Sequence, residues 1–205
     1  WSWTVAIVLL TTFPYFIHWW NTPPGFHYTW ILPPYPEDSF GYMAWARQAA
    51  HGAWLFQIKY TALPHAPFLF HPLFLVCGWL SALFSCELGP IFLAAKAAGT
   101  ILFLAVFYRS LDQLGLTSVQ SVAASILVGI SSGFGQCFAH FGLPGSGAPP
   151  PADLWMPELS VIWSLLWNPL FPFSLTLILL SIFWLDRGTR SGKRNDLWRS
   201  GLATG

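Results

Sequence analysis

The residues with the clearest chemical potential are the carboxylates Glu37 and Asp38, the base Lys96 and the acids Asp153 and Glu158. Glu37 and Asp38 follow Pro36 and open a stretch with helical spacing, so they sit at a helix N-terminus. A carboxylate there caps free backbone N–H groups and complements the helix dipole. Held at a membrane surface and partly desolvated, it can also act as a general base toward an acceptor hydroxyl. The two roles are compatible, because a capped carboxylate is a positioned one. Lys96 lies within an apolar run, where a base either snorkels to the interface or serves as counter-charge for a lipid phosphate. Asp153 and Glu158 bracket Leu154-Trp155-Met156-Pro157 and read either as loop charge and helix cap or as a second acidic group.

The elements that hold these groups are membrane helices. Of 205 residues only 17 are charged, the hydrophobic share is 55% and Trp occurs 13 times. A soluble domain carries about a quarter charged residues and could not cover its surface with so few. Disordered chains are polar and aromatic-poor, which excludes that class too. The expected fold class is an all-α polytopic membrane protein, in contact with the lipid bilayer along most of its length. Apolar helices are expected at about 3–20, 90–108, 117–135 and 159–185, with a further one at 67–86. Asn168-Pro169 should break the last of them. The run from Gly142 to Pro151 is a loop by composition. The chain starts at Trp1 inside an apolar run and ends where another begins, as the N-terminal part of a longer protein would. No basic stretch precedes the first apolar run, so a signal peptide is not expected.

Charge sets the orientation. Residues 186–205 carry a net +3 and the rest a net −2. A basic segment at 186–199 closing an apolar run marks a cytoplasmic loop. Between membrane segments the same bases do not read as a nucleic-acid site. If the N-terminus is cytoplasmic, five full spans would put 186–199 outside; letting 67–86, with Pro67, His71 and Pro72 at its start, dip into the membrane restores agreement. Glu37, Asp38, Asp153 and Glu158 then share the external side. The external segment 21–66 contains a helix in which Phe40, Met43, Ala46 and Ala50 form an apolar face, with Ser39, Arg47, Gln48 and His51 on the polar side. An amphipathic helix lying on the membrane and ending at Gly52 is expected there. Cys77, Cys86 and Cys137 form no CxxC pair, and His65 and His71 have no ligand spacing, so no metal site is read. No nucleotide-fold or hydrolase motif occurs.

The succession Glu37-Asp38-Ser39-Phe40-Gly41-Tyr42, Arg47-Gln48-Ala49-Ala50-His51-Gly52-Ala53-Trp54-Leu55-Phe56, Tyr60-Thr61 and Phe70-His71-Pro72-Leu73-Phe74 resembles the GT-C superfamily of membrane glycosyltransferases. That superfamily includes the protein O-mannosyltransferases and the bacterial aminoarabinose and RgtA/B/C/D-like transferases. The resemblance covers most of the chain through short, degenerate motifs. It implies a GT-C-like N-terminal helix bundle with a long first external loop, in a multi-pass protein of the bacterial inner membrane. It implies a hexosyltransferase-type enzyme that moves a sugar from a polyprenyl-phosphate donor to an acceptor hydroxyl at the external face. By that analogy Asp38 is the general base with Glu37 in reserve, and Lys96 stabilises the leaving phosphate. Asp153, Glu158 and His71 complete the substrate-binding set. Some relatives use a divalent metal and others do not, and the sequence does not require one. Two departures stand out: the Asp-Glu order of the O-mannosyltransferases is reversed, and Lys96 stands where Arg is commoner. The competing class is a non-enzymatic transporter or lipid-handling scaffold. A transporter should show paired broken helices, and the sequence carries one clear break.

Overall fold

The computed structural model describes residues 2–32, 36–132, 156–192 and 194–204. Among these, regular structure is helical, with eight α-helices and one isolated bridge, Phe56 to Leu69. The helices are α1 (Ser2–Trp20), α2 (Pro36–Ala50), α3 (Pro72–Phe84), α4 (Leu88–Gln113) and α5 (Ser118–Gly129). After a 3-10 turn at Pro157–Leu159 come α6 (Val161–Trp167), α7 (Leu170–Ser191) and α8 (Arg194–Thr204). Three of them, α1, α4 and α7, are long and apolar enough to cross a membrane. They leave Leu9, Phe13, Leu102, Ile178 and Ile182 more than 40% exposed, an arrangement that suits lipid and not water. By length and composition these helices suggest a membrane protein.

Contacts divide the chain into two compact units, residues 12–95 and residues 1–11 with 96–205. In the first, Ala46, Ala49, Phe56, Phe74, Leu75, Cys77 and Phe92 form the core. Pro36 suits the first helical position of α2, because its missing N–H would have no partner there. Gly52, at φ +90°, ends that helix. The Ala53 N–H donates to the Gln48 carbonyl at 3.0 Å and the Gly52 N–H to the Ala49 carbonyl at 2.9 Å, a Schellman closure. The face α2 buries differs from the expected one. Ser39, Ala46 and Ala49 are buried, with Tyr42 and Trp45 against the core, whereas Phe40 is half exposed. The cause is α3. A Cβ at position 78 would lie 2.6 Å from the Ala49 Cβ and 2.8 Å from the Ala50 N, and closer still to the Ala46 carbonyl oxygen. Gly78 therefore selects the small residues of α2, and α2 docks on α3 through them.

The second unit is built around Ile7, Phe103, Leu104 and Leu165. α5 carries Ser121, Ser125 and Gly129 on one buried face at four-residue spacing, and small residues at that spacing let helix backbones approach. A reciprocal capping box between Thr117 and Gln120 starts α5. The helix is shorter than the expected 117–135. It ends at Gly129, after which Ser131 turns back on the Val128 carbonyl and its own carbonyl accepts from the Ile162 N–H at 3.1 Å. Residues 133–135 lie outside the described residues. The break at Asn168-Pro169 is present: α6 stops at Trp167, and the Asn168 Oδ1 accepts from the Leu170 N–H at 2.9 Å as α7 begins.

Most of the basic segment 186–199 is helical. α7 continues to Ser191, helped by the i,i+4 pair Arg190–Asp186 at 2.8 Å, and Gly192 turns the chain at φ +66° into α8. α8 packs on α7 through Leu197 against Gly188 and through the Ser200 Oγ, which donates to the Ser181 carbonyl at 2.9 Å. Asp196, 4% exposed, faces Arg187 at 3.3 Å and Arg199 at 3.4 Å. Asp186, Arg187, Arg190, Asp196 and Arg199 are therefore organised along a helical hairpin by pairing within it.

Candidate functional site

Glu37 and Asp38 occupy the first turn of α2 and are exposed. Both line a cleft of about 450 Å³ together with Tyr42, Trp45, Lys59 and Tyr60. Tyr42 and Trp45 follow Asp38 by one and two helical turns, which puts them on its side of α2. Their rings are 5.7 Å apart, and Tyr42 stacks on Phe74 at 5.1 Å, so the aromatic wall is anchored in the core. Lys59 arrives from outside α2. Its Nζ donates to the Gln57 Oε1 at 2.6 Å. The Gln57 main chain is clamped by Gln48 of α2: its N–H donates to the Gln48 Oε1 at 2.8 Å, and the Gln48 Nε2 donates to its carbonyl at 3.0 Å. A side-chain amide of α2 thus pins the 57–60 segment beside the acids.

The arrangement brings two carboxylates, one ammonium and the four aromatic rings of Phe40, Tyr42, Trp45 and Tyr60 to one opening. A carboxylate can accept a proton from a hydroxyl, an ammonium can pair with an anion, and ring faces can cover the C–H face of a saturated ring. Sequence reading found the two acids but not Tyr42, Trp45 or Lys59 as site residues. Tyr42 and Trp45 were detectable from their helical offsets to Asp38. Lys59 was not, since its position follows from the Gln48–Gln57 clamp.

The remaining candidates are placed as follows. His71 precedes α3, half-buried, with its ring stacked on Phe74 at 4.3 Å and its Nδ1 buried without a hydrogen-bond partner among the described residues. It does not line the cleft. Lys96 belongs to the second unit, is 1% exposed, and donates from its Nζ to the Thr11 carbonyl at 2.5 Å. The buried position does not match a side chain that snorkels to the interface. Glu158 is exposed in the 3-10 turn of the same unit. Asp153 lies outside the described residues. Among the described residues no three His, Cys, Asp or Glu side chains converge as a metal set would.

Burial holds the His71 imidazole below its ordinary value, so the folded state favours the neutral ring. As pH falls the unfolded chain takes up this proton first. The stability involved is fully present above the unfolded value of about 6.5 and is lost as pH drops through the lower folded value. We expect the unfolding midpoint to decline on acidification below about pH 6.5 and His71→Phe, which keeps the ring stack, to flatten that decline. Thermal unfolding at fixed ionic strength measures it, and identical pH profiles for the two proteins would contradict the assignment.

The chain matches no protein-family profile, no curated protein sequence and no solved structure.

Proposed function

We propose that the chain is part of a GT-C-type glycosyltransferase that moves a sugar from a polyprenyl-phosphate-linked donor to an acceptor hydroxyl at the external membrane face. One observation carries this reading: Glu37 and Asp38 share a single opening with Tyr42, Trp45, Tyr60 and Lys59, in a chain with three helices apolar enough for a bilayer. Aromatic rings suit the C–H face of a sugar, and a carboxylate at the same opening suits deprotonation of a hydroxyl.

In this mechanism Asp38 takes the acceptor's hydroxyl proton as the oxygen attacks the anomeric carbon. The new C–O bond forms while the bond to the lipid phosphate oxygen breaks, and the phosphate leaves with that electron pair. Glu37 is the alternative base. Lys96 is assigned the leaving phosphate by the resemblance alone; its side chain is 1% exposed and its Nζ donates to the Thr11 carbonyl. The same reading places the protein in a bacterial inner membrane with 186–199 on the cytoplasmic side, following the basic bias.

The test uses the full-length protein in liposomes supplied with a polyprenyl-phosphate-linked sugar. Transfer to a hydroxyl acceptor, dependent on the cleft acids, is the expected result. Solute flux without transfer from any lipid-linked sugar would overturn the reading in favour of transport. A reporter at Arg190 that reads external would overturn the orientation.

A further inference from the structure

We infer that His65 is a proton-operated latch on the loop that carries Lys59 and Tyr60 to the cleft beside Glu37 and Asp38. The ends of that loop are fixed. Phe56 is buried in the core, and its N–H donates to the Leu69 carbonyl at 2.8 Å. Between them, residues 57–67 make no main-chain to main-chain hydrogen bond among the described residues. Their course therefore depends on side chains. The Gln48–Gln57 clamp holds the outgoing limb, and the Gln57 Nε2 donates to the His65 carbonyl at 3.0 Å.

The half-buried His65 ring supplies the other tie across the loop. Its Nε2 lies 3.1 Å from the Ile58 carbonyl oxygen and its Nδ1 lies 2.9 Å from the Ala66 carbonyl oxygen. Carbonyl oxygens only accept. A neutral imidazole has one N–H, so it satisfies one of the two and turns a lone pair on the other, whereas an imidazolium donates to both. The ring position fits the charged form, and the second bond exists only with the second proton. Ile58 immediately precedes Lys59 and Tyr60, so this tie is the one next to the cleft wall. Histidine is the side chain whose charge changes between pH 5 and 8. Protonation therefore closes the loop on the cleft, and deprotonation loosens it.

The neighbouring charges do not take the place of this proton. Among the described residues no carboxylate lies within ion-pair reach of His65. On the same loop, Lys59 turns its Nζ to the Gln57 Oε1. From α2, Glu37 and Asp38 share the cleft with Lys59 and Tyr60, while Arg47 and His51 line a different one. On the return limb, His71 stacks on Phe74, and the ring that meets His65 is that of Phe68, at 5.4 Å. The cleft is the one proposed for sugar transfer, but the latch is a property of the loop and stands if transfer fails.

The test is limited proteolysis of the full chain in detergent, with papain at about pH 5.5 and about pH 7.5, either side of the histidine range. Cleavage within residues 59–64 is normalised at each pH to that of a synthetic peptide of residues 57–66. We expect the parent to be cut about threefold faster or more at the higher pH, the factor for one hydrogen bond of modest net strength. His65→Gln, uncharged at both values, should give equal normalised rates. His71→Phe should keep the parent's ratio, and unfolding midpoints check that each variant is folded. Equal rates in the parent would overturn the latch. So would a pH ratio that survives His65→Gln or disappears in His71→Phe.

Discussion

Asp38→Asn should lower sugar transfer by at least about a hundredfold while leaving membrane insertion and the unfolding midpoint unchanged, because a positioned general base contributes roughly 10²- to 10⁴-fold. The substitution separates the two roles a carboxylate has in the first turn of α2. Asparagine accepts a hydrogen bond at a helix N-terminus about as well as aspartate, so the start of the helix survives. What is lost is the negative charge and the ability to take a proton at neutral pH. Glu37→Gln should reduce transfer by about tenfold or less, since Glu37 lines the same cleft and contributes field without receiving the proton. Initial rates from a polyprenyl-phosphate-linked donor, at matched protein insertion, decide the matter. Retained transfer in Asp38→Asn with loss in Glu37→Gln would move the base to Glu37. Retained transfer in both would remove the acids from the chemistry.

Gly78→Val should lower the stability of the unit formed by residues 12–95 by about 3 kcal/mol, the upper part of the range for overpacking. The added Cβ would meet the Ala46 carbonyl oxygen and the Ala50 main-chain nitrogen, the latter at 2.8 Å. Both atoms are backbone, so trimming a neighbouring side chain gives no relief, and Ala46→Gly combined with Gly78→Val should be no more stable than Gly78→Val alone. Because Phe74, one turn before Gly78, stacks under Tyr42, displacement of α3 should also disturb the aromatic wall of the cleft. Thermal unfolding in detergent measures the first effect and tryptophan fluorescence the second. A Gly78→Val midpoint equal to the parent's would mean that α2 and α3 do not pack as described.

Several elements were legible in the sequence because their causes are local. The apolar run at 3–20 is α1, and the run at 90–108 lies inside α4, which continues to Gln113 before Gly115 turns the chain at φ +75°. Asn168-Pro169 interrupts a helix because proline lacks the N–H the ladder requires. Gly52 ends α2 because a positive φ is cheap for glycine alone. The α7–α8 hairpin was less legible. Arg190–Asp186 and Arg199–Asp196 are local pairs at helical spacing, but Arg187 meets Asp196 only once the turn at Gly192 folds one helix onto the other.

By itself the sequence determined the environment and the chemical inventory. Hydropathy summed over twenty residues is enough to select lipid over water, and proline, glycine and acidic first turns act over a few residues. Only the tertiary structure decided which side of α2 faces the core, because that choice belongs to Gly78 on another helix. It also decided that Lys59 stands beside Glu37 and Asp38, and that Arg47 and His51 border a different cleft with His27 and Glu87. Those neighbours are brought together by the clamp of Gln48 on Gln57 and by the turn between α3 and α4. Contacts between residues far apart in the chain leave no periodic trace along it.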